Sequence, residues 1–347
     1  MPLFSTLRSL DSSTLAFCLL SHLSVRTPFP LNTSKSLLEW RKVQYDSIGA
    51  IMKYSKVVSY DVLSRSNIHR FRVYAPPDVR LGPSRPVLLW LHGGGFVLGS
   101  IEADEKKCRQ LAHVFNIIVV SVEYRLAPEH PYPAAAHDAY DAIMWTLYHI
   151  SEYNGDTSRL VIAGEDAGGH LALAATLRYI QAKSSSLPSL YGLVLVYPLL
   201  QPSQEFESYR LYPYLNSFMS RAQHRHLWNM YLNSSTTDDR GLDDMCKALD
   251  DDDDDLDTAL CPLHLPPQLL RRFPTTLLLR ATHDIVADEG IEFVRMLSNN
   301  HIPTTTANYT SIHGFMEFPR LGNETIHRIG SWIEQLGSAT VAKGRSV

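Results

Sequence analysis

Five short, almost entirely apolar runs alternate with longer segments of helical pattern, and this alternation limits the chain to few folds. A strand that is apolar on both sides must be covered on both faces, as in a parallel sheet with helices above and below it. The runs are residues 87–91, 117–122, 160–163, 194–197 and 276–279. The helical segments are residues 105–115, 134–150, 167–180 and 288–299. The order predicts an α/β fold with a doubly wound, mostly parallel sheet.

More polar alternation at residues 56–62 and 70–74 predicts two antiparallel edge strands before the parallel part, and residues 304–309 read as a last strand. We divide the chain into N-terminal cap helices (1–50), a first core part (51–199), an insertion (200–272) and a second core part (273–347). The insertion is rich in aromatic residues and follows a strand end, where ligands bind in such sheets, so we expect it to act as a lid.

Composition excludes several classes of function. The chain has 45% hydrophobic and 20% charged residues, and its 32 basic against 36 acidic residues give a net charge of −4. The chain has no excess of basic residues that would favour binding to nucleic acid or to an anionic membrane. No apolar run reaches the ~18 residues that a membrane-spanning helix needs. The six aspartates at 250–255 predict a solvated acidic loop, because they lack the turn glycine and terminal glutamate of a calcium loop.

Four cysteines without a CxxC pair predict free thiols, a reducing compartment and therefore a cytoplasmic location. No group of His, Cys or Asp has metal-ligand spacing, and no Gly-x-Gly-x-x-Gly motif is present, so we expect neither a metal nor a cofactor. The sequence leaves the oligomeric state open.

Two motifs that directly follow predicted strands indicate the chemistry. His92-Gly-Gly-Gly-Phe96 follows the first buried run, and its glycines can turn backbone N–H groups towards a developing negative charge. Residues 164–169 (GEDAGG) join a strand to a helix, as in a nucleophile elbow of the form Gly-x-Ser-x-Gly. The tip of this elbow is Asp166, and neither neighbour supplies a hydroxyl group.

Two further candidates follow the last two strands. Asp284 lies in the stretch THDIVADEG and His313 in IHGF, so the chain order is elbow, acid, histidine. Each group comes just after a strand end, where all three can converge.

Together these residues resemble the hormone-sensitive-lipase-like branch of the α/β hydrolases, which includes microbial esterases and plant carboxylesterases. The resemblance runs from about residue 56 to the C-terminus and includes HGGGF, YRLAPEHPYPAA at 124–135, the elbow, the acid stretch and HGF. It implies an α/β-hydrolase fold with a helical cap. It also implies that Asp284 orients His313, the acid/base, and that an oxyanion hole is formed by the backbone of Gly94, Gly95 and Ala167.

We expect substrate contacts from aromatic residues near the strand ends and in the insertion, namely Phe96, Tyr214, Phe218 and Phe315. The substrate is expected to be a small, apolar or aromatic metabolite. We expect His170 to pack within its helix, Glu165 to be a local hydrogen-bonding or surface residue, and His224 to lie on a solvated helix face.

The aspartate at the elbow departs from the family, in which serine is the nucleophile. Carboxylate attack on an ester would give an unstable anhydride, so ordinary serine-esterase activity is not expected. The favoured interpretation is that Asp166 and His313 form an acid/base pair for cyclisation, elimination, isomerisation or condensation. Three alternatives stay open: Asp166 attacks a saturated carbon, as in epoxide hydrolases; the protein binds a ligand without catalysis; or the chain is a carboxylesterase with a Ser-to-Asp change.

Overall fold

The computed structural model describes residues 56–63, 70–78, 82–182, 187–212, 219–234 and 259–344. The predictions for the N-terminal cap (1–50), for the aspartates at 250–255, and for Tyr214 and Phe218 lie outside the described residues.

The described strands form one eight-stranded sheet in the order β1-β2-β4-β3-β5-β6-β7-β8. The first two pairings, β1 with β2 and β2 with β4, are antiparallel, and all the others are parallel. The strands are β1 (Val58–Leu63), β2 (Arg70–Ala75), β3 (Arg85–Leu91), β4 (Ile118–Glu123), β5 (Gly155–Glu165), β6 (Gly192–Val196), β7 (Thr276–Ala281) and β8 (Thr304–Tyr309). The predicted fold class is confirmed.

Helices cover both faces of this sheet, which explains the apolar runs. They are α1 (Glu105–Phe115), α2 (Ala134–His149), α3 (Ala167–Ala182), α4 (Ser208–Leu211), α5 (Arg221–Leu232), α6 (Pro267–Leu270), α7 (Ala287–Asn299) and α8 (Pro319–Gly344). Alternate residues of β3 point to opposite sides: Leu89 joins the core under α2, α3 and α7, and Trp90 joins the core under α1 and α8. Both residues are fully buried.

Helices α4, α5 and α6 lie between β6 and β7, within the predicted insertion. Leu227 of α5 packs so closely on the glycine loop that a Cβ built on Gly95 would lie 2.4 Å from its Cδ1. Helix α5 of the insertion therefore packs directly on the loop that follows β3. Among the described helices, none is both long and apolar enough to cross a membrane.

The cysteines differ from the sequence-based expectation. Cys108 is a buried free thiol, but Cys261 is disulfide-bonded. The prediction of free thiols is therefore wrong for Cys261, because proximity in the fold and not sequence spacing decides which cysteines pair. Disulfides persist mainly in oxidising compartments, so the predicted cytoplasmic location loses this support.

The elbow glycines allow a test of the fold. A Cβ on Gly164 would lie 2.1 Å from the backbone oxygen of Gly168, and backbone atoms cannot give way as a flexible side chain can. We expect Gly164→Ala to lower the free energy of unfolding by ~1–3 kcal/mol, the usual cost of overpacking. Urea denaturation measures the change.

Gly290→Ala is the matched control, because Gly290 lies in α7 and its nearest atoms to an added Cβ are 3.5 Å or more away. This variant should be neutral or more stable by up to ~1 kcal/mol. Equal stability of the two variants would contradict the close backbone approach at the elbow.

Candidate active site

The loop after β3 directs backbone N–H groups towards the elbow. Gly94 and Gly95 have φ angles of 122° and 60°, in the region that side chains disfavour. A Cβ on Gly94 would also lie 2.3 Å from the oxygen of Leu98. Glycine is therefore required here by both conformation and space, and the resulting turn leaves two amides free to donate.

The elbow itself follows β5 and holds Asp166 at a φ of 53°. Such an angle is strained for a residue with a side chain, and it lifts that side chain above the strand ends. The turn packs against the end of β3, since a Cβ on Gly168 would lie 2.2 Å from the oxygen of Leu91. The local backbone is thus that of a nucleophile elbow, and the side chain at its tip is a carboxyl group.

The acid and the histidine converge on this carboxyl group. His313 Nε2 lies 3.0 Å from Asp166 Oδ1, and His313 Nδ1 lies 2.7 Å from Asp284 Oδ2. All three side chains are buried. The imidazole is therefore held between two carboxylates in a line from Asp284 to Asp166.

The second oxygen of Asp166 occupies the oxyanion hole. Gly94 N–H and Gly95 N–H each donate to Asp166 Oδ2 at 2.7 Å. The N–H of Ala167 also stabilises the ionised form of this carboxyl group. The three amides that the family resemblance predicts to bind a substrate oxyanion are thus directed at the protein's own carboxylate, which the motifs alone do not reveal.

These contacts determine the charges of the site. Burial alone would raise the pKa of Asp166, but the hydrogen bond and charge of His313 and the backbone amides outweigh it and lower that pKa. Burial alone would lower the pKa of His313, but the charge of Asp284 and the hydrogen bonds to both carboxylates raise it to about 10. At neutral pH the site therefore contains a His313 imidazolium next to the Asp166 carboxylate.

The same shifts link the site to stability. The pKa of His313 in the folded protein lies above its unfolded value of ~6.5. Its contribution to the free energy of unfolding is therefore complete below pH ~6.5 and is lost as the pH rises through about 10. The pKa of Asp166 is lower in the folded protein than in the unfolded chain. Its contribution to the free energy of unfolding is therefore present above the unfolded pKa and is lost as the pH falls through the folded pKa.

Two of the expected substrate contacts belong to the packed interior. Phe96 stacks on Tyr231 with ring centroids 4.0 Å apart, and Phe315 packs on Tyr309 at 4.4 Å. Neither phenylalanine has accessible surface. Neighbouring aromatic rings cover both side chains, and substrate contact by either of them stays a prediction.

His224 is buried, so the expected solvated position is wrong. Trp228 Nε1–H donates to His224 Nε2 at 3.0 Å, and the Tyr209 hydroxyl lies 3.0 Å from the same nitrogen. Burial lowers the pKa of His224 to about 3, so the ring is neutral. The Tyr209 hydroxyl also donates to Glu289 of α7. This series of hydrogen bonds connects α5 to the core. His170 packs within its helix as expected.

One group of carboxylates meets only in the folded chain. One oxygen each from Asp104, Glu165 and Glu317 lies within 4.8 Å of the others, an arrangement that can hold a cation. Here the ammonium group of Lys107 donates to all three. The spacing of these residues along the chain gives no signal of this cluster.

Comparison with known proteins agrees with this architecture. Residues 88–317 match the family described as alpha/beta hydrolase fold. Carboxylesterase NlhH of Mycobacterium tuberculosis is 32% identical over 271 residues, covering 76% of this chain and 75% of that protein. Esterase LipI of the same organism is 42% identical over 127 residues, but these are only 39% of its length.

A solved structure extends the likeness to three dimensions. The ester-hydrolase EH1AB1 from the metagenome of Lake Arreo, in complex with a derivative of bipyridine phosphonate, has a TM-score of 0.77 and 26% sequence identity. The match covers 95% of this chain and 99% of that chain.

The charge state of His313 is directly testable. In an NMR titration of the imidazole ¹⁵N signals, we expect His313 to stay protonated at neutral pH and to titrate near 10. Asp166→Asn should lower this pKa, since an amide oxygen facing the glycine amides leaves an NH₂ group that donates to neutral His313.

Asp156→Asn is the control, because Asp156 lies in the first part of β5 and bonds Ser158 and Arg159. It should leave the titration of His313 unchanged. A wild-type pKa near the ordinary ~6.5 would contradict the ion pair.

Proposed function

The chain belongs to the α/β-hydrolase family and resembles its carboxylesterase-like members, and from this premise we propose that it is a hydrolase in which the Asp166 carboxylate attacks a saturated, electrophilic carbon. The proposed substrate class is a small, apolar epoxide. One observation carries the proposal: Asp166 Oδ2 is bound by the amides of Gly94 and Gly95, while Oδ1 faces His313.

In the proposed reaction the two oxygens of the Asp166 carboxylate have different roles. Oδ1 is the oxygen that forms a bond with the substrate. Oδ2 becomes the carbonyl oxygen of the resulting ester, already inside a hole built to stabilise negative charge. A nucleophilic carboxylate needs both positions filled in this way.

Two other chemistries use the same groups less well. An ester substrate needs a free oxyanion hole and a hydroxyl nucleophile, and Asp166 supplies neither. The acid/base chemistry favoured by the sequence places a substrate oxyanion in the same hole, where it would compete with a fixed carboxylate. Attack at saturated carbon requires no empty hole.

The first step forms the alkyl-enzyme. Asp166 Oδ1 bonds to an epoxide carbon, the carbon–oxygen bond of the ring breaks, and its electron pair goes to the ring oxygen. That oxygen takes the proton from Nε2 of the His313 imidazolium. The high pKa of His313 keeps this proton available at neutral pH.

The second step uses the change in charge. Esterification removes the negative charge of Asp166 that helps to raise the pKa of His313, so the neutral ring now persists as a base. His313 takes a proton from a water molecule that attacks Cγ, and the negative charge develops on Oδ2 in the amide hole. The alkoxide leaves and takes the carboxyl proton, so the diol, Asp166 carboxylate and imidazolium result. Acid–base catalysis and oxyanion binding typically contribute ~10²–10⁴-fold each.

Labelled water tests the covalent route. A single turnover of excess enzyme with styrene oxide in oxygen-18 water should place the heavy atom in the peptide that contains Asp166, because water attacks Cγ. Mass spectrometry of the digested protein detects it. Diol formation with unlabelled Asp166 would show direct attack by water, and no turnover of aryl or alkyl epoxides would overturn the proposal.

His313→Gln provides the matched trap. The variant also lacks the acid of the first step, so its probe is a benzyl halide, whose halide leaves without taking a proton. Without a base the alkyl-enzyme cannot be hydrolysed, so the Asp166 peptide should carry the mass of the benzyl group. Asp166→Asn, which lacks the nucleophile, should show no adduct under the same conditions.

Asp166→Ser tests the relationship to the esterases. A serine hydroxyl would lie near His313 and would free the amides of Gly94 and Gly95, so hydrolysis of p-nitrophenyl acetate should rise by ~10²-fold or more over wild type. Asp166→Ala also frees the hole but has no nucleophile, and it should stay at background. Equal rates for the two folded variants would mean that the geometry no longer supports acyl transfer.

A further inference from the structure

A buried ionic cluster lies beside the elbow, outside the groups that the proposed reaction uses. Lys107 Nζ donates to Asp104 Oδ1 at 2.9 Å, to Glu165 Oε1 at 2.6 Å and to Glu317 Oε1 at 2.7 Å. The side chains of Lys107, Asp104 and Glu165 are nearly inaccessible, and Glu317 is half exposed. All three ammonium protons are therefore used, each on a different carboxylate.

The three carboxylates come from the three segments that build the site. Asp104 is the N-cap of α1, the helix after the glycine loop, and Glu165 directly precedes Asp166. Glu317 ends the short 3₁₀ helix Phe315–Glu317 that follows His313. One ammonium group thus fixes the hole, the elbow and the histidine loop relative to one another.

Tyr197 connects this cluster to the imidazole. Its hydroxyl donates to Glu165 Oε2 at 2.7 Å, and its ring lies against His313 with centroids 4.9 Å apart. Tyr197 follows β6 with a φ of 34°, which is unusual for a residue with a side chain. The hydroxyl bond to Glu165 therefore holds the ring of Tyr197 in its contact with His313.

The charges explain why the cluster is sensitive to change. Burial raises the pKa of Glu165 to about 7, against the lowering effect of Lys107. Attraction to three carboxylates offsets the desolvation cost of the buried ammonium group, but loss of one partner leaves uncompensated buried charge. Small changes in this cluster are therefore transmitted to the segments that it joins.

We propose that Lys107, Glu165 and Tyr197 form a positioning unit that holds the imidazole of His313 in line with Asp166. None of them touches the reacting atoms. Only the kinetic part of the test rests on the proposed function, because the ionisation of His313 reports on the same geometry in the resting protein.

The decisive comparison removes one hydroxyl from each of two neighbouring rings. Tyr197→Phe deletes the bond to Glu165, and Tyr309→Phe deletes a buried hydroxyl that has no hydrogen-bond partner among the described residues. With His313 less well held, its hydrogen bond to Asp166 weakens. We expect its pKa to fall by about one unit and kcat for styrene oxide to fall about tenfold, with KM within about twofold.

Tyr309→Phe should leave both quantities at wild-type values. Equal pKa values for His313 in wild type and Tyr197→Phe would overturn the positioning role. A pKa that falls as expected in a protein that hydrolyses no epoxide would overturn the proposed function and keep the positioning unit.

Substitutions of Lys107 provide an independent test of the positioning unit. Lys107→Arg keeps a cation among the carboxylates and should retain a His313 pKa close to that of wild type. Lys107→Met removes a positive charge, which by itself would raise the pKa of His313, so the expected fall of about one unit would come from lost alignment with Asp166. If circular dichroism shows that Lys107→Met is unfolded, the comparison of Tyr197→Phe with Tyr309→Phe alone tests the positioning unit. A folded Lys107→Met protein with an unchanged His313 pKa would contradict the proposal.

Discussion

The hydrogen bonds from Gly94 and Gly95 to Asp166 Oδ2 are the interaction on which the site depends. They stabilise a carboxylate that burial alone would neutralise. The fixed negative charge in turn helps to keep His313 protonated between two carboxylates. One carboxyl group therefore fills the hole, orients the histidine and sets its charge, and the chemistry available to the site follows from these three effects together.

The family likeness and the aspartate at the elbow tip are compatible for this reason. In the proposed reaction this chain uses the same amides, the same histidine and the same orienting acid as an esterase. In an esterase the charge that the amides stabilise arises on the substrate, whereas here it already belongs to the protein. The negative charge is thus a permanent part of the resting site, and the Lys107 cluster next to it joins the segments that must keep their positions for such a charge to be useful.

Local pattern predicted most of the fold. The apolar runs lie within or overlap the parallel strands, and the helix predicted at 105–115 has those bounds in the structure. The predictions differ where long-range contacts matter. β5 begins at Gly155 because Gly155 pairs with Arg85 of β3, although residues 155–159 are not apolar. β2 lies inside the sheet and not at its edge, because it pairs with both β1 and β4. His224 is buried because α5 packs against the core.

The sequence by itself determined which groups stand at the strand ends: three glycines in a row, Asp166 at the elbow tip, then Asp284 and His313. These follow from motifs whose residues are close in the chain and whose backbone demands are local. Only the tertiary structure decided that Asp166 reaches amides 72 and 71 residues away and that Lys107 meets carboxylates 58 and 210 residues away. Such contacts depend on how the strands are ordered and how far each side chain extends. Local patterns carry no information about either, so the occupied hole and the ionic cluster appear only when the sheet is assembled.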